Sequence, residues 1–112
     1  MEITEQRTAD IVTLSLSGKL DTMSAKTFEA KILAQIESGD RRFIIDLAQL
    51  DYVSSSGLRV FVLAAKRLDG GNGKIVLCSL QDRIREVFDI AGFSSIFSVY
   101  GSYDEAIRSF EP

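Results

Sequence analysis

The sequence of 112 residues contains no histidine and a single cysteine, and both shortages exclude classes of function. Without histidine, the chain cannot form a Ser-His-Asp catalytic triad or a metal site with histidine ligands. A lone cysteine, Cys78, cannot form an internal disulfide. Its apolar neighbours in "KIVLCSL" indicate a small buried side chain in a protein of a reducing compartment.

Excess positive charge and long apolar runs are also lacking. The net charge is −3, with acidic and basic residues interspersed, so there is no basic patch for nucleic acid or for anionic lipid. No apolar run approaches the ~18 residues that a transmembrane helix needs, and "MEITEQR" lacks the apolar segment of a secretory signal. We therefore expect a cytoplasmic protein with no nucleic-acid or membrane partner. Its hydrophobic content of 46% predicts that residues 1–112 form one folded domain.

Apolar periodicity predicts the order β-β-α-β-α-β-α-β-α. Alternation in "EITEQR" and "DIVTLSLSG" predicts an antiparallel hairpin with its turn near residues 8–10. Further strands are predicted in "RFIIDL", "KIVLCSL" and "IFSVY". Helical spacing predicts helices in "SAKTFEAKILAQIESG", "GLRVFVLAAKRL", "QDRIREVFDIAGF" and "SYDEAIRSF". Because helices separate the later strands, the fold class is α/β, with a mixed, mostly parallel sheet and about four helices.

Three serines and a glycine in a row, in "DYVSSSGLR" (51–59), lie between a predicted strand and a predicted helix. Loops at the carboxyl ends of strands hold the ligands of open α/β sheets, and the start of a helix favours an anion. The simplest interpretation is that Ser54 or Ser55 caps the helix. Capping, however, explains one serine and not three.

Motifs of catalytic sites do not fit these residues. A nucleophile elbow, G-x-S-x-G, would make Ser55 the nucleophile, but Val53 occupies the first glycine position and no histidine is present. In "LDGGNGKI" a phosphate-binding loop would need glycine at Leu68 and a hydroxyl residue at Ile75. Asp46 in "IIDL" invites comparison with response-regulator receivers, yet their acidic couple is missing after the earlier strand, so we interpret Asp46 as a turn residue at a strand end. We expect no enzymatic activity.

A serine that another protein modifies fits better. A phosphoserine adds about −1.5 to −2 charges and three acceptor oxygens. The positive end of a helix tolerates that charge, whereas an interface pressed against the same surface does not. Such a serine controls binding without controlling folding.

The chain resembles the anti-sigma factor antagonists of the STAS family along nearly its whole length, in "GKLDTMSAKTFEAKI", "FIIDLAQLDYVSSSGLRVFVLAAKRL", "GKIVLCSLQDRIREVFDIAGF" and "IFSVYGSYDEAI". In that family the loop before the second helix typically reads Asp-Ser-Ser/Thr-Gly-Leu, and the serine after the aspartate is phosphorylated. The resemblance assigns phosphorylation to Ser55 and places Ser54 at the aspartate position. This departure makes Ser54 a second candidate acceptor.

The resemblance implies partner switching without any cofactor. The unphosphorylated domain would bind an anti-sigma factor that is also a serine kinase with a histidine-kinase-like ATPase domain, and so free a sigma factor. Phosphorylation would eject the domain, and a PP2C-type phosphatase would restore it. The implied partner-binding residues are Asp21, Ser54, Ser55, Ser56, Gly57 and Leu58.

Several roles stay open between two interpretations. Asp21 either flanks the serines and meets the kinase or only caps the preceding helix. Leu58 contacts the partner or, as its spacing favours, packs in the core, and Arg59 is favoured as a solvated charge over a partner contact. Gly57 is expected to let another backbone come close. The alternative function is a ligand-sensing STAS module that binds a nucleotide or lipid in the same loop region.

Overall fold

The computed structural model describes residues 1–111 and contains five strands and four α-helices. The strands are β1 (Glu2–Thr8), β2 (Ile11–Leu20), β3 (Arg42–Val53), β4 (Lys74–Cys78) and β5 (Ser98–Tyr100). The helices are α1 (Thr22–Glu37), α2 (Ser55–Asp69), α3 (Asp82–Ile90) and α4 (Tyr103–Arg108), with a 3₁₀ turn at Phe93–Ser95.

One five-stranded sheet has the order β1-β2-β3-β4-β5. Strand β1 is antiparallel to β2, and all other neighbours are parallel. The predicted α/β class, the element order and the mostly parallel sheet are confirmed. Because β2 and β3 are parallel neighbours, their carboxyl ends lie side by side, with Leu20 paired to Val53.

Helices α1, α2 and α3 pack on one face of the sheet, and the ring of Phe61 fixes α2 between its neighbours. Its centroid lies 5.3 Å from that of Phe28 in α1, 5.4 Å from that of Phe88 in α3 and 6.4 Å from that of Phe97. Tilted and edge-to-face pairs of this kind add about 0.5–1.5 kcal/mol each to the burial of the rings. Helix α2 is therefore held at a defined place above the sheet through its second turn.

Helix α4 covers the other face in a smaller apolar layer. Cys78 lies fully buried in this layer beside Ile44, Val76 and Ala106, so its predicted role as a small buried hydrophobe is confirmed. Burial raises the pKa of the Cys78 thiol to about 11, with a smaller contribution from the carboxylate of Asp46. The thiol is therefore protonated and unreactive near neutral pH.

Strand β3 is longer than predicted, and this corrects the interpretation of Asp46. The strand runs on to Val53 through two register shifts, the first between Ser15 and Ser17 of β2 and the second between Gly18 and Lys19. Asp46 lies inside the strand, where its Oδ1 accepts a hydrogen bond from the Ala48 N–H at 3.1 Å. That turn-like bond satisfies the irregular backbone at the first shift, so the strand continues instead of ending.

The ends of other elements differ slightly from the prediction. Helix α2 begins at Ser55, ahead of the predicted start at Gly57, and β5 is reduced to Ser98–Tyr100. The 3₁₀ turn at Phe93–Ser95 shortens β5 because it buries Phe93 and Phe97 under α3 before the strand starts. None of the helices within residues 1–111 has the length and apolar character needed to cross a bilayer.

Candidate partner-binding surface

Two helix N-termini open side by side at the carboxyl ends of β2 and β3. Asp21 follows β2 and is the N-cap of α1, and Ser54 follows β3 and is the N-cap of α2. The Ser54 N–H donates to the carbonyl oxygen of Leu20 at 2.8 Å, which ties the two strand ends together. The structure thus brings Asp21 next to the serine cluster, and the positive ends of two helix dipoles face the same region.

The side chain of Ser54 caps the N-terminus of α2. Its Oγ accepts a hydrogen bond from the Gly57 N–H at 3.1 Å, and its carbonyl oxygen accepts one from the Leu58 N–H at 2.9 Å. Of the two candidate caps in the sequence, the structure selects Ser54 over Ser55. Serine and aspartate are about equally good N-caps. The departure from the family's aspartate therefore preserves the start of α2.

Ser55 has a different environment although it is the next residue. It is the first residue of α2, it is exposed, and its hydroxyl makes no hydrogen bond to any residue within 1–111. No acidic residue occurs in the first turn of α2, so nothing in that turn repels an anion. Ser56 is half-buried. Of the three serines, Ser55 is the one whose hydroxyl is both exposed and free.

Gly57 is buried, and the close approach it permits is internal. A Cβ atom at this position would lie 2.8 Å from Cγ and Cδ2 of Leu20 and 3.1 Å from Cγ2 of Val53. The expectation that Gly57 admits another backbone is wrong, because the space is filled by side chains at the ends of β2 and β3. Leu58 is half-buried and packs against the main core, as its spacing favoured.

Asp21 forms a reciprocal capping box with Ser24. Its Oδ1 accepts hydrogen bonds from the Ser24 N–H and hydroxyl, both at 2.9 Å, and the Asp21 N–H donates to Ser24 Oγ at 2.9 Å. The Ser24 backbone N–H, followed by its hydroxyl, lowers the pKa of the exposed Asp21 carboxyl. Asp21 therefore both caps α1 and places a fixed negative charge beside the serines.

Arg59 is exposed, lies one turn into α2, and forms a long ion pair at the surface. Its Nη2 lies 3.7 Å from Oε1 of Glu29 in α1, which links the two helices at the surface. A pair this long and this exposed contributes little to stability. The favoured interpretation of Arg59 as a surface charge holds, with Glu29 as its nearest partner.

Residues 2–106 match the family model for the STAS domain. The chain belongs to the STAS domain family. This STAS domain is 41% identical to BtrV of Bordetella bronchiseptica, a protein assigned as an anti-sigma factor antagonist, over 99% of this chain and 96% of that protein.

Solved structures of the same fold include proteins of the same assignment. A protein of Thermotoga maritima assigned as an anti-sigma factor antagonist superposes with a TM-score of 0.94 at 19% identity, covering 98% of the STAS domain and 95% of that chain. The phosphorylated form of the Bacillus cell fate determinant SpoIIAA superposes with a TM-score of 0.79 at 24% identity, covering 96% and 98%. The assignment of BtrV as an anti-sigma factor antagonist, a regulatory protein, agrees with the expectation that the STAS domain is not an enzyme.

Sequence reasoning missed Met23 and Tyr52, two large apolar side chains at the same end of the sheet as the serines. Met23, in the first turn of α1, is 80% exposed, and Tyr52, two residues before Ser54, is 49% exposed. The exposure of Met23 could have been predicted from the sequence, because Met23 does not share the helical spacing of the buried residues of α1, which are Ala25, Phe28, Ile32 and Ile36. Exposed apolar groups beside a polar cluster are typical of protein-binding surfaces.

Within residues 1–111, no three Cys, Asp or Glu side chains form a group that could hold a metal ion. The chemistry that this end of the STAS domain offers includes the exposed, unbonded hydroxyl of Ser55 at the start of α2. That hydroxyl can accept a phosphoryl group, and within residues 1–111 no base is hydrogen-bonded to it to activate it as a nucleophile.

Proposed function

We propose that this STAS domain is an anti-sigma factor antagonist controlled by phosphorylation of Ser55. In its unphosphorylated form it binds an anti-sigma factor that is also a serine kinase with a histidine-kinase-like ATPase domain, and thereby frees a sigma factor for transcription. A PP2C-type phosphatase reverses the modification. The observation that carries this proposal is the exposed, unbonded hydroxyl of Ser55 at the first position of α2. The assignment of BtrV and the phosphorylated form of SpoIIAA support it.

The helix terminus explains why phosphorylation leaves the fold intact. A phosphate on Ser55 would sit at the positive end of α2, where backbone N–H groups and the helix dipole favour an anion. No core side chain needs to move, because Ser55 is exposed. The capping bond from Gly57 goes to Ser54 and is not disturbed.

The same charge is unfavourable once a partner covers this surface. About two negative charges would enter an interface beside the carboxylate of Asp21, whose lowered pKa keeps it ionised. Burying an uncompensated charge costs several kcal/mol, and about 2.7 kcal/mol already lowers an affinity 10²-fold. Phosphorylation thus acts on binding and not on folding.

The proposed partner-binding residues divide by role. Ser55 carries the switch, Asp21 and Ser56 supply polar contacts, and Met23 supplies an apolar contact. The other three residues support the surface and contact the partner less directly. Ser54 caps α2. Gly57 packs against Leu20 and Val53, and Leu58 packs against the core. In this proposal the STAS domain meets the kinase in the cytoplasm. Residues 1–112 act as one STAS domain, and it has no nucleic-acid or membrane partner.

Ser54 is the weaker acceptor in this proposal. A kinase would have to phosphorylate an Oγ that belongs to a half-buried residue and already accepts the Gly57 N–H.

The alternative of a nucleotide- or lipid-sensing module gains no support from the cavities of about 360, 520 and 240 Å³, since none of the three is lined by Asp21 or residues 54–58.

The proposal is tested by using wild type, Ser55→Asp and Ser94→Asp as baits in lysate of the native cells. Ser94 is an exposed serine outside the proposed surface and controls for the added charge. We expect wild type and Ser94→Asp to retain a protein with a histidine-kinase-like ATPase domain, and Ser55→Asp to lose it while keeping a native circular dichroism spectrum. Equal retention by all three baits, or no such ATPase on wild type, contradicts the proposal.

A further inference from the structure

A polar cavity of about 240 Å³ lies on the face of the sheet opposite α1, α2 and α3. Helix α4 covers another part of this face, beside Ile44, Val76 and Cys78, and none of the residues that line the cavity belongs to α4. The cavity is formed by β1, β2 and β3. Its polar lining consists of Thr4, Ser15, Ser17, Asp46 and Gln49.

The strand register brings these side chains together. Thr4 of β1 is paired with Ser15 of β2, and Ser15 is paired with Asp46 of β3. Directly paired residues project from the same face of a sheet and lie about 5 Å apart. Their chain neighbours Ile3 and Leu16 pack against the main core on the other face. Thr4, Ser15 and Asp46 therefore form one polar row across three strands and point away from that core.

A β-bulge gives the polar row its concave shape. Two steps along β2, from Ser15 to Ser17, are matched by three steps along β3, from Asp46 to Gln49. The extra residue bends the strand, and bulges of this kind often lie beside binding sites, where they redirect side chains. The volume is below the roughly 300 Å³ at which pockets for drug-sized ligands begin. The cavity thus fits a group of only a few atoms.

Asp46 supplies the only ionisable side chain of the lining, and its charge is not compensated. Its Oδ1 accepts the Ala48 N–H, and its carboxylate takes part in no ion pair within residues 1–111. Arg7 and Arg42, the cations of β1 and β3, pair with other carboxylates. Lys19, the cation of β2, lies outside the lining. A half-buried carboxylate without a counter-ion favours a cationic ligand.

We propose that this cavity binds the guanidinium group of a small free compound, with the Asp46 carboxylate as the charged acceptor and the lining hydroxyls as neutral acceptors. A guanidinium presents five N–H donors in one plane, which suits acceptors that are spread over neighbouring strands. It is also more weakly hydrated than an ammonium group, so it loses less when it enters a half-buried cavity.

A free compound fits this cavity better than an arginine on a partner protein. Protein-binding surfaces combine polar groups with large exposed apolar side chains. The large apolar side chains that the STAS domain exposes are Met1, Met23, Tyr52, Val87, Ile90 and Ile96, and none of them lines the cavity. The polar rows offer recognition of one small cation and no apolar anchor beside it.

The test is a titration of the full chain with methylguanidinium between about 0.1 and 20 mM, followed by two-dimensional amide NMR. We expect saturable shifts in residues 15–17 and 46–49, with a dissociation constant of about 1 mM. Methylurea has the same shape without the charge and should bind at least tenfold more weakly. Methylammonium should bind more weakly than methylguanidinium. The absence of saturable shifts, equal binding of methylurea or tighter binding of methylammonium overturns the proposal.

Asp46→Asn is the decisive variant, because asparagine keeps an Oδ1 that accepts the Ala48 N–H and removes only the charge. It should bind methylguanidinium at least tenfold more weakly. Ser17→Val, which fills the cavity with a strand-forming side chain, should also weaken binding. Asp89→Asn is the matched control, since this exposed carboxylate lies in α3 on the opposite side of the sheet, and it should bind like wild type.

Unchanged binding by Asp46→Asn overturns the assignment of the carboxylate. A blocked arginine tripeptide that binds at least tenfold more tightly than methylguanidinium would overturn the free compound as the occupant. Both results are independent of the partner switch at Ser55, because Asp46→Asn should still retain the kinase as bait.

Discussion

At the scale of single residues, the serine cluster shows how one helical position changes the role of the same side chain. The Ser54 oxygen accepts the Gly57 N–H and fixes the start of α2, whereas the Ser55 hydroxyl, one residue later, is exposed and free. Ser56 is half-buried. A capping residue, a modifiable residue and a half-buried residue therefore stand in a row, and the repetition of serine does not indicate repetition of function.

Replacing Ser54 separates capping from modification. We expect Ser54→Ala to lower the free energy of unfolding by about 1 kcal/mol, because the Gly57 N–H loses its acceptor. Ser54→Asp should unfold at nearly the wild-type urea concentration, since aspartate caps equally well. Urea denaturation followed by circular dichroism measures both. A Ser54→Ala variant as stable as wild type would show that the capping bond contributes nothing.

Gly57 permits a second test at this scale. In Gly57→Ala the new methyl group would lie 2.8 Å from Leu20 and 3.1 Å from Val53, both of which are buried and cannot easily move. We expect a loss of about 1–3 kcal/mol in the free energy of unfolding, despite the better helix propensity of alanine.

Gly70→Ala is the matched control for Gly57→Ala. Gly70 has an ordinary right-handed backbone conformation, and a Cβ there would meet nothing closer than the Arg67 carbonyl oxygen at 4.0 Å. This variant should be as stable as wild type or slightly more stable. Equal effects of the two substitutions in urea denaturation would exclude a steric role for Gly57.

At the scale of elements, the site depends on two parallel strands ending together. The pairing of Leu20 with Val53 places the caps of α1 and α2 side by side, and the bond from the Ser54 N–H to Leu20 maintains that register. The two register shifts between β2 and β3 allow the strand to reach this point. The partner-binding surface is therefore a property of the strand ends rather than of a flexible loop.

Acid titration tests the cap of α1. Hydrogen bonds from Ser24 lower the pKa of Asp21 in the folded protein, so its stabilising contribution is complete above the ordinary aspartate value of 3.8 and disappears as the pH falls through the lowered value. Asp40, whose pKa is lowered by its hydrogen bond with Arg7, adds a contribution of the same sign. Wild type should lose stability as the pH falls below about 4.

Asp21→Asn should flatten that loss, because asparagine caps α1 without titrating. Asp69→Asn is the control: it removes a negative charge from the last turn of α2 and should not flatten the loss. The measurement is the urea midpoint at a series of pH values between about 2 and 6. An unchanged slope in Asp21→Asn would mean that the Ser24 hydrogen bonds do not contribute in the folded state.

At the scale of the whole molecule, the element order and the α/β layers could be predicted because the spacing of apolar residues within each segment indicates a helix or a strand. The length of β3 could not, since it depends on how the Asp46 carboxylate satisfies an irregular backbone against β2. The serine cluster could be located as a helix start, because capping is also local. The fit of Gly57 against Leu20, and the exposure of Met23 and Ile90, exist only after the strands and helices are packed together.

The measurement that tests the central claim most directly is the transfer of phosphate from MgATP by the captured ATPase kinase, followed by the intact mass of the STAS domain. Wild type, Ser55→Ala, Ser54→Ala and Ser94→Ala are compared under the same conditions. We predict that wild type, Ser54→Ala and Ser94→Ala each gain one phosphoryl group and that Ser55→Ala gains none. Phosphorylation of Ser55→Ala, or a wild-type protein that gains no phosphoryl group, would contradict the assignment of Ser55 as the switch.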